Sequence, residues 1–164
     1  MAGRKQKNSL LRDIAETAAY AVVGVIIAMV IYQALIIALG TKRPVIDVVS
    51  ESMVPAINKG DLVIVKYVQP STLKIGDIIV FETLSEPLPV IHRLYKINAD
   101  GTFQTLGDNN HGEQHDWEKN IQGSAIVGKA IFVIPYVGWV KIITCDALPN
   151  VCTVFSPAVR GIAG

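Results

Sequence analysis

One serine and one histidine carry the strongest indication of chemistry in this sequence of 164 residues. Ser52 lies in the stretch SESMVP, and His92 lies in VIHRL, a run whose alternating residues predict a β-strand. A serine hydroxyl becomes a nucleophile when a base lies within hydrogen-bond reach, and an acidic group that orients the base assists it. Most serines are turn or surface residues, so Ser52 gains meaning only from a base and an acid elsewhere in the chain.

The polar segment GDNNHGEQHD supplies two acids and the other two of the three histidines. Asp108 and Asp116 flank His111 and His115 there, and imidazole and carboxylate groups are also ligands for zinc or manganese. A metal site that includes His92 is therefore an alternative interpretation. The Asp, Asn and Gly residues of the segment favour turns over the helix that would face both rings one way. We expect no metal and no cofactor.

Two further alternatives stay open from the residues alone. Lys66 or Lys96 is a candidate base for a Ser-Lys peptidase, since a buried lysine acts as a base when its pKa falls. The chain is alternatively a non-enzymatic, membrane-tethered β domain that binds a partner. In that case the order of serine, histidine and acids along the chain is coincidence.

A long apolar segment at residues 17–41 precedes these residues, without a charge between Glu16 and Lys42. A helix of this length, at about 1.5 Å per residue, crosses a hydrocarbon core of about 30 Å with some tilt. A buried core helix seldom stays apolar on every face for so long, and the apolar part of a cleaved signal peptide is shorter. We therefore predict a cytoplasmic segment at 1–16, a retained transmembrane anchor at 17–41 and an extracytoplasmic domain at 42–164.

Basic residues near the two ends of the anchor predict its orientation. The N-terminal side carries more of them than the other side, which favours a cytoplasmic N-terminus and a domain outside the cell or in a eukaryotic lumen. These residues are Arg4, Lys5, Lys7 and Arg12 before the anchor, and Lys42 and Arg43 after it. In such a compartment a disulfide between Cys145 and Cys152 is possible, as are two unpaired thiols. The net charge of +1 gives no indication of a nucleic-acid partner.

The domain after the anchor is predicted to be mainly β and antiparallel. Asn98–Gly101 is a hairpin signal between two strands, Gly107–Asn120 is predicted as a loop, and Pro135–Ile143 as a short helix, an interfacial segment or core. The strands are predicted at Asp61–Val68, Ile75–Glu82, Val90–Ile97, Thr102–Leu106 and Ala125–Ile134.

Five blocks of the domain together resemble the type I signal peptidases of archaea and of the endoplasmic reticulum, and they occur in the family order. The blocks are SESMVP with KGDLVIV (Ser50 to Val65), KIGDIIVF (Lys74 to Phe81), VIHRL (Val90 to Leu94), GDNN with Asp116, and IVGKAIFVIPYVGW (Ile126 to Trp139). The resemblance covers most of residues 45–139, behind the anchor.

The resemblance implies a role for each matching residue. Ser52 is the nucleophile and His92 is the general base, at the position where bacterial relatives have a lysine. Asp116 is favoured as the acid that orients His92, although its spacing from GDNN departs from that of the endoplasmic-reticulum relatives, and Asp108 is a structural or auxiliary acid. The backbone N–H of Ser52 and the hydroxyl of Ser50 form the oxyanion hole.

The function implied by the resemblance is that of a membrane-bound serine endopeptidase, a signal peptidase that removes N-terminal signal peptides from secretory and membrane preproteins. The expected partners are these preproteins and the lipid bilayer, with the secretion translocon as a further candidate and no nucleic acid. The expected location is the cell membrane, or the membrane of the endoplasmic reticulum if the source is eukaryotic.

Overall fold

The computed structural model describes residues 2–140 and 142–143, with side chains described from Arg12 onward. The chain divides into two compact units, one ending at Ala38 and the other beginning at Leu39. Cys145 and Cys152, the predicted disulfide candidates, lie outside the described residues.

The first unit is a single helix, α1, at Ala2–Leu39. Its sequence contains no proline, and Gly40 follows its last residue at φ 64°, the left-handed conformation that commonly ends a helix. The 28 residues Arg12–Leu39 are long and apolar enough to cross a membrane by length and composition. Most apolar side chains of this segment are exposed, among them Val30 at 63%, which disfavours the alternative of a buried core helix.

The second unit is a six-stranded sheet in which every neighbouring pair is antiparallel, in the order β1-β2-β6-β3-β4-β5. The predicted mainly β domain behind an N-terminal apolar helix is thus confirmed. The strands are β1 at Val45–Asp47, β2 at Leu62–Lys66, β3 at Ile78–Thr83, β4 at Glu86–Ile97, β5 at Phe103–Leu106 and β6 at Ile126–Ile134.

The core lies on both faces of the sheet, because side chains alternate along each strand. Strand β3 shows this most clearly: Ile79 and Phe81 belong to one buried cluster and Val80 belongs to the other. The first cluster also contains Leu73, Leu94, Phe103, Ile121 and Ile126, and the second contains Val48, Met53, Ile57, Val63 and Val65. Strand β3, which lies between β6 and β4, is therefore packed on both faces.

Two segments of the domain, before β2 and after β6, add detail to the predicted strands. Strand β1 was not predicted, since its three residues give too short a pattern to recognise. Residues 135–138 form a turn, and a helical segment follows from Trp139. This turn is fixed by the Asp61 carboxylate, which accepts the Tyr136 N–H at 3.2 Å, and by the Trp139 ring, which fills the space beside Gly60.

Candidate active site

The predicted nucleophile lies at the start of a tight turn that is anchored in the core. Met53 and Ile57 are 2% and 1% exposed in the second cluster, and the Ile57 N–H donates to the Met53 carbonyl at 2.9 Å. Ser52 immediately precedes this anchor and is itself partly exposed. The apolar residues of SESMVP thereby fix the turn while its serine stays accessible.

The predicted base lies within hydrogen-bond distance of this serine. His92 sits in β4 opposite Ile79 of β3, and the residue is buried at 4% exposure. The Ser52 Oγ and the His92 Nε2 are 3.0 Å apart, although the two residues are separated by 40 positions in the sequence. The structure therefore brings together the serine and the histidine that the sequence analysis singled out.

The other ring nitrogen of His92 contacts a residue that the sequence analysis did not name. Glu118 Oε1 lies 2.5 Å from His92 Nδ1 and accepts a longer hydrogen bond, at 3.4 Å, from the Thr105 hydroxyl. Glu118 Oε2 accepts the backbone N–H of His115 at 2.9 Å. The Glu118 side chain is completely buried, and its contacts account for both carboxylate oxygens.

The pKa of Glu118 reflects two opposed effects. Burial raises the pKa, but the hydrogen bonds from His92 and from the His115 amide outweigh burial and hold the pKa below its ordinary value. Glu118 is therefore a carboxylate at neutral pH and acts as an acceptor. Since a carboxylate cannot donate, His92 Nδ1 carries the proton and Nε2 is free to accept the Ser52 hydroxyl proton.

Asp116, favoured in the sequence analysis as the orienting acid, lies two residues before Glu118 and points to solvent. Its side chain is 99% exposed, and its Oδ1 accepts a hydrogen bond from Lys119 Nζ at 2.7 Å. This hydrogen bond lowers the pKa of Asp116. Both acids belong to one turn of 3₁₀-helix at Asp116–Glu118, whose short period sends neighbouring side chains in different directions.

Asp108 also lies away from the His92 ring nitrogens and is engaged by the neighbouring arginine. Arg93 Nε donates to Asp108 Oδ1 at 2.8 Å and Arg93 Nη2 to Asp108 Oδ2 at 2.5 Å, a bidentate pair. Arg93 Nη1 also donates to the Gly76 carbonyl at 2.9 Å. The pKa of Arg93 is raised by its hydrogen bonds to Asp108.

The loop that carries Asp108 holds the backbone of the nucleophile turn. The Asn109 N–H donates to the Ser52 carbonyl at 2.8 Å, and the Asn109 amide side chain donates to the Glu51 carbonyl at 3.1 Å. Gly107 approaches so closely that a Cβ there would lie 2.7 Å from the Ser52 carbonyl oxygen. The Arg93–Asp108 pair therefore fixes a loop that in turn fixes Ser52.

Ser50, the predicted second oxyanion group, lies beside the nucleophile. Its Oγ is 3.4 Å from Ser52 Oγ, and the residue is exposed.

The remaining candidates of the sequence analysis occupy other places. His115 stacks on Trp117, with ring centroids 5.0 Å apart and planes at 7°, and His111 lines an open surface pocket of about 400 Å³. Within residues 2–140 and 142–143 there is no group of three His, Cys, Asp or Glu side chains arranged to hold a metal ion. Lys66 and Lys96, the candidate lysine bases, are exposed.

Glu118 was missed because the whole segment Gly107–Asn120 was predicted as a loop. One signal in the sequence was available: a glutamate three residues after a turn-starting residue is typical of a capping box, in which the glutamate side chain returns to the first backbone N–H. His115 and Glu118 have this spacing, and the His115 N–H to Glu118 Oε2 bond is of this kind. The usual Ser, Thr, Asp or Asn is replaced by histidine, which hides the pattern.

Residues 21–131, more than half of the chain, match the family model described as Peptidase S24-like. The chain belongs to this family. The match includes the nucleophile turn, strands β2–β5 and the turn that carries Glu118.

Relatives named for their function extend this finding. The signal peptidase complex catalytic subunit SEC11C of Homo sapiens is 34% identical over 127 residues, which cover 73% of this chain and 66% of the relative. The subunit sec11 of Dictyostelium discoideum is 32% identical, with 73% and 70% covered, and SEC11 of Colletotrichum graminicola is 28% identical, with 73% and 74% covered. The chain thus matches just under two thirds of the length of SEC11C.

These comparisons confirm the resemblance to type I signal peptidases of the archaeal and endoplasmic-reticulum kind.

Proposed function

We propose that this chain is a membrane-anchored serine endopeptidase that removes N-terminal signal peptides from secretory and membrane preproteins. The observation that carries the proposal is the 3.0 Å contact between Ser52 Oγ and His92 Nε2. The names of the SEC11 relatives, each a catalytic subunit of a signal peptidase complex, support the choice of substrate.

The first half of the reaction forms an ester between Ser52 and the signal peptide. Ser52 Oγ attacks the scissile carbonyl carbon while His92 Nε2 takes the hydroxyl proton. The negative oxygen of the tetrahedral intermediate accepts hydrogen bonds from the Ser52 N–H and the Ser50 hydroxyl. His92 then gives its proton to the leaving amine, the C–N bond breaks, and the mature protein departs with a new N-terminus.

The second half of the reaction regenerates the serine. Water attacks the ester carbon and gives a proton to His92 Nε2, and the second tetrahedral intermediate collapses with return of that proton to Ser52 Oγ. The signal peptide leaves with a new carboxylate. His92 therefore acts once as base and once as acid in each half. It returns every proton that it takes, so it ends the cycle in its starting state.

The helix α1 supplies a reason for the choice of substrate. We assign residues 17–41 to a membrane anchor, residues 1–16 to the cytoplasm and the domain from 42 onward to the other side, in the cell membrane or the endoplasmic-reticulum membrane. An extended chain gains at most about 3.6 Å per residue, so Ser52 stays within roughly 47 Å of the end of α1. A signal peptide in the same bilayer presents its cleavage site just outside the hydrocarbon core, within this distance of the anchor. Confinement to one membrane also raises the effective concentration of both partners.

The proposed partners are preproteins and the bilayer, with the secretion translocon as a further candidate. The relatives are named as subunits of a complex, and we propose that accessory subunits are dispensable for the chemistry because Ser52, His92 and both proposed oxyanion groups come from this one chain.

The test is cleavage of a secretory precursor by the purified full chain in lipid vesicles, with the new N-terminus of the product determined by mass spectrometry. We expect one cut after a small residue next to the apolar part of the signal peptide, and none when that residue is replaced by a bulky one. A chain that binds the precursor without cutting it, even when assembled with its accessory subunits, would favour the non-enzymatic β domain instead.

A further inference from the structure

Of the carboxylates that follow strand β5 within a short distance along the chain, three, Asp108, Asp116 and Glu118, have sharply different surroundings. Asp108 is paired with Arg93, and Asp116 is exposed to solvent and paired with Lys119. Glu118 alone among the three touches a ring nitrogen of His92. A buried carboxylate in contact with a histidine that itself contacts a serine is the arrangement of a hydrolase triad.

We infer that Glu118 is the positioning residue of His92, and that the backbone amide of His115 holds Glu118 in place for this task. This inference rests on the proposed function, since it concerns how the base of that reaction is oriented. The third member of the triad is then Glu118, which a short turn places beside His92, and not Asp108 or Asp116.

The carboxylate of Glu118 is held at both oxygens, so it has little freedom to rotate. Oε1 faces His92 Nδ1 and the Thr105 hydroxyl, and Oε2 accepts the His115 N–H. The turn itself is closed by the Glu118 N–H, which donates to the His115 carbonyl at 3.0 Å. The Gln114 side chain ties the turn to β5 by donating to the Thr105 carbonyl at 2.8 Å.

The fixed position of the Glu118 carboxylate determines which nitrogen of His92 serves as the base. A fixed carboxylate acceptor keeps the proton on Nδ1 and leaves the lone pair of Nε2 directed at Ser52 Oγ. When Nε2 takes the serine proton, the imidazolium cation lies against an anion that is already in place. Loss of this acceptor permits the other tautomer, in which Nε2 carries a proton and cannot act as a base.

Trp117 fixes the same turn against the ring of His92. Its ring is nearly parallel to that of His115, and its centroid lies 6.4 Å from that of His92 at 17° between planes. Trp117 also packs on Phe81 of β3, at 6.1 Å between ring centroids. The turn is therefore anchored in the first buried cluster.

The first experiment compares two neighbouring acids that are altered in the same way. Glu118→Gln keeps the size of the side chain and removes its charge, and Asp116→Asn does the same two residues earlier. We expect Glu118→Gln to lower kcat about 10⁴-fold, the scale of triad-acid losses in other serine hydrolases, with KM changed little. Asp116→Asn should stay within about twofold of the unmutated chain, since substitutions at exposed sites have small effects.

A second pair of variants tests the His115 amide, and the comparison within this pair does not depend on the stability of Glu118→Gln. His115 has φ −71° and ψ 154°, values that proline adopts readily. His115→Pro removes the N–H that binds Glu118 together with the ring, whereas His115→Ala removes the ring alone. We expect kcat to fall clearly further in His115→Pro than in His115→Ala, and no further loss from His115→Pro when Glu118 is already Gln.

The outcomes separate this inference from the proposed function. If Ser52→Ala abolishes cleavage while Glu118→Gln retains full kcat, the peptidase stands and the role of Glu118 is overturned. That role is also overturned if Asp116→Asn causes the large loss. If Ser52→Ala cleaves as well as the unmutated chain, the proposed function itself fails.

Discussion

His92 and Arg93 are adjacent residues of β4, and each forms an ion pair or a strong hydrogen bond with a carboxylate. The two pairs differ in burial and in the part of the site that each one positions. The His92–Glu118 pair is buried on one side of the strand, at 5% and 0% side-chain exposure. The Arg93–Asp108 pair points to the other side, at 37% and 19%. The first pair directs a ring nitrogen at Ser52, and the second fixes the loop that holds the Ser52 backbone.

The difference shows how one strand supplies a buried group and a solvated group to the same site. Alternation along β4 places a titratable group where water is excluded and a permanently charged group where water remains. Buried, well-directed hydrogen bonds act strongly on their partners, whereas half-exposed ion pairs contribute little to stability. We therefore expect changes to the first pair to alter the chemistry and changes to the second to alter positioning.

The largest expected effect comes from removal of the base. His92→Ala should lower kcat by about 10⁴–10⁶-fold, because the base and the nucleophile act as one unit. Cleavage of a precursor under single-turnover conditions measures this loss. If His92→Ala kept near-normal activity, an exposed lysine such as Lys66 or Lys96 would be the better candidate for the base.

A smaller effect is expected where the loop touches the nucleophile turn. Gly107→Ala puts a methyl group 2.7 Å from the Ser52 carbonyl oxygen, so the turn must move. A displacement of about 1 Å at a reacting group costs about 100-fold, and we expect a loss of kcat between about tenfold and a hundredfold. Thermal unfolding provides the control. A Tm drop large enough to unfold the variant at the assay temperature would attribute the loss to folding instead.

The exposed pair should have a milder effect. Asp108→Asn keeps the side chain and removes one charge, so Arg93 retains its bond to the Gly76 carbonyl. Half-exposed ion pairs contribute about 1 kcal/mol or less, and we expect kcat to fall less than about tenfold. A loss equal to that of Glu118→Gln would contradict the division of labour between the two pairs.

The buried pair should also make the free energy of unfolding depend on pH, through the ionisation of Glu118. The pKa of Glu118 is held below its ordinary value in the folded chain, so its carboxylate contributes stability above pH 4.5, and this contribution is lost as the pH falls through the folded pKa. The stability advantage of the unmutated chain over Glu118→Gln should therefore shrink as the pH is lowered below 4.5. Unfolding by denaturant at several pH values measures the gap, and a gap that stays constant into strong acid would contradict the assigned ionisation.

Much of the fold was predictable because its patterns are long or repetitive. The apolar run of α1 and the β-branched runs of β2, β3 and β6 identify helix and strands, and SESMVP with VIHRL identified the pair Ser52 and His92. Glu118 was not predictable in the same way. Its burial depends on a turn of three residues whose direction is set by packing of Trp117 on Phe81, a contact between distant parts of the chain.

The choice between the acids shows the same limit. Asp116 was favoured from the family resemblance, although its spacing from GDNN departs from that of the endoplasmic-reticulum relatives, and one turn of 3₁₀-helix places Asp116 in solvent and Glu118 against His92. A difference of two residues along such a turn decides which carboxylate reaches the base.

The most direct test of the central claim is a double-mutant cycle between Ser52 and His92, measured as precursor cleavage by the full chain in lipid vesicles. We predict that Ser52→Ala, His92→Ala and the double variant all fall to the same residual rate, because neither group works without the other. Losses that add, so that the double variant is far slower than either single variant, would show that the two residues do not form one catalytic unit.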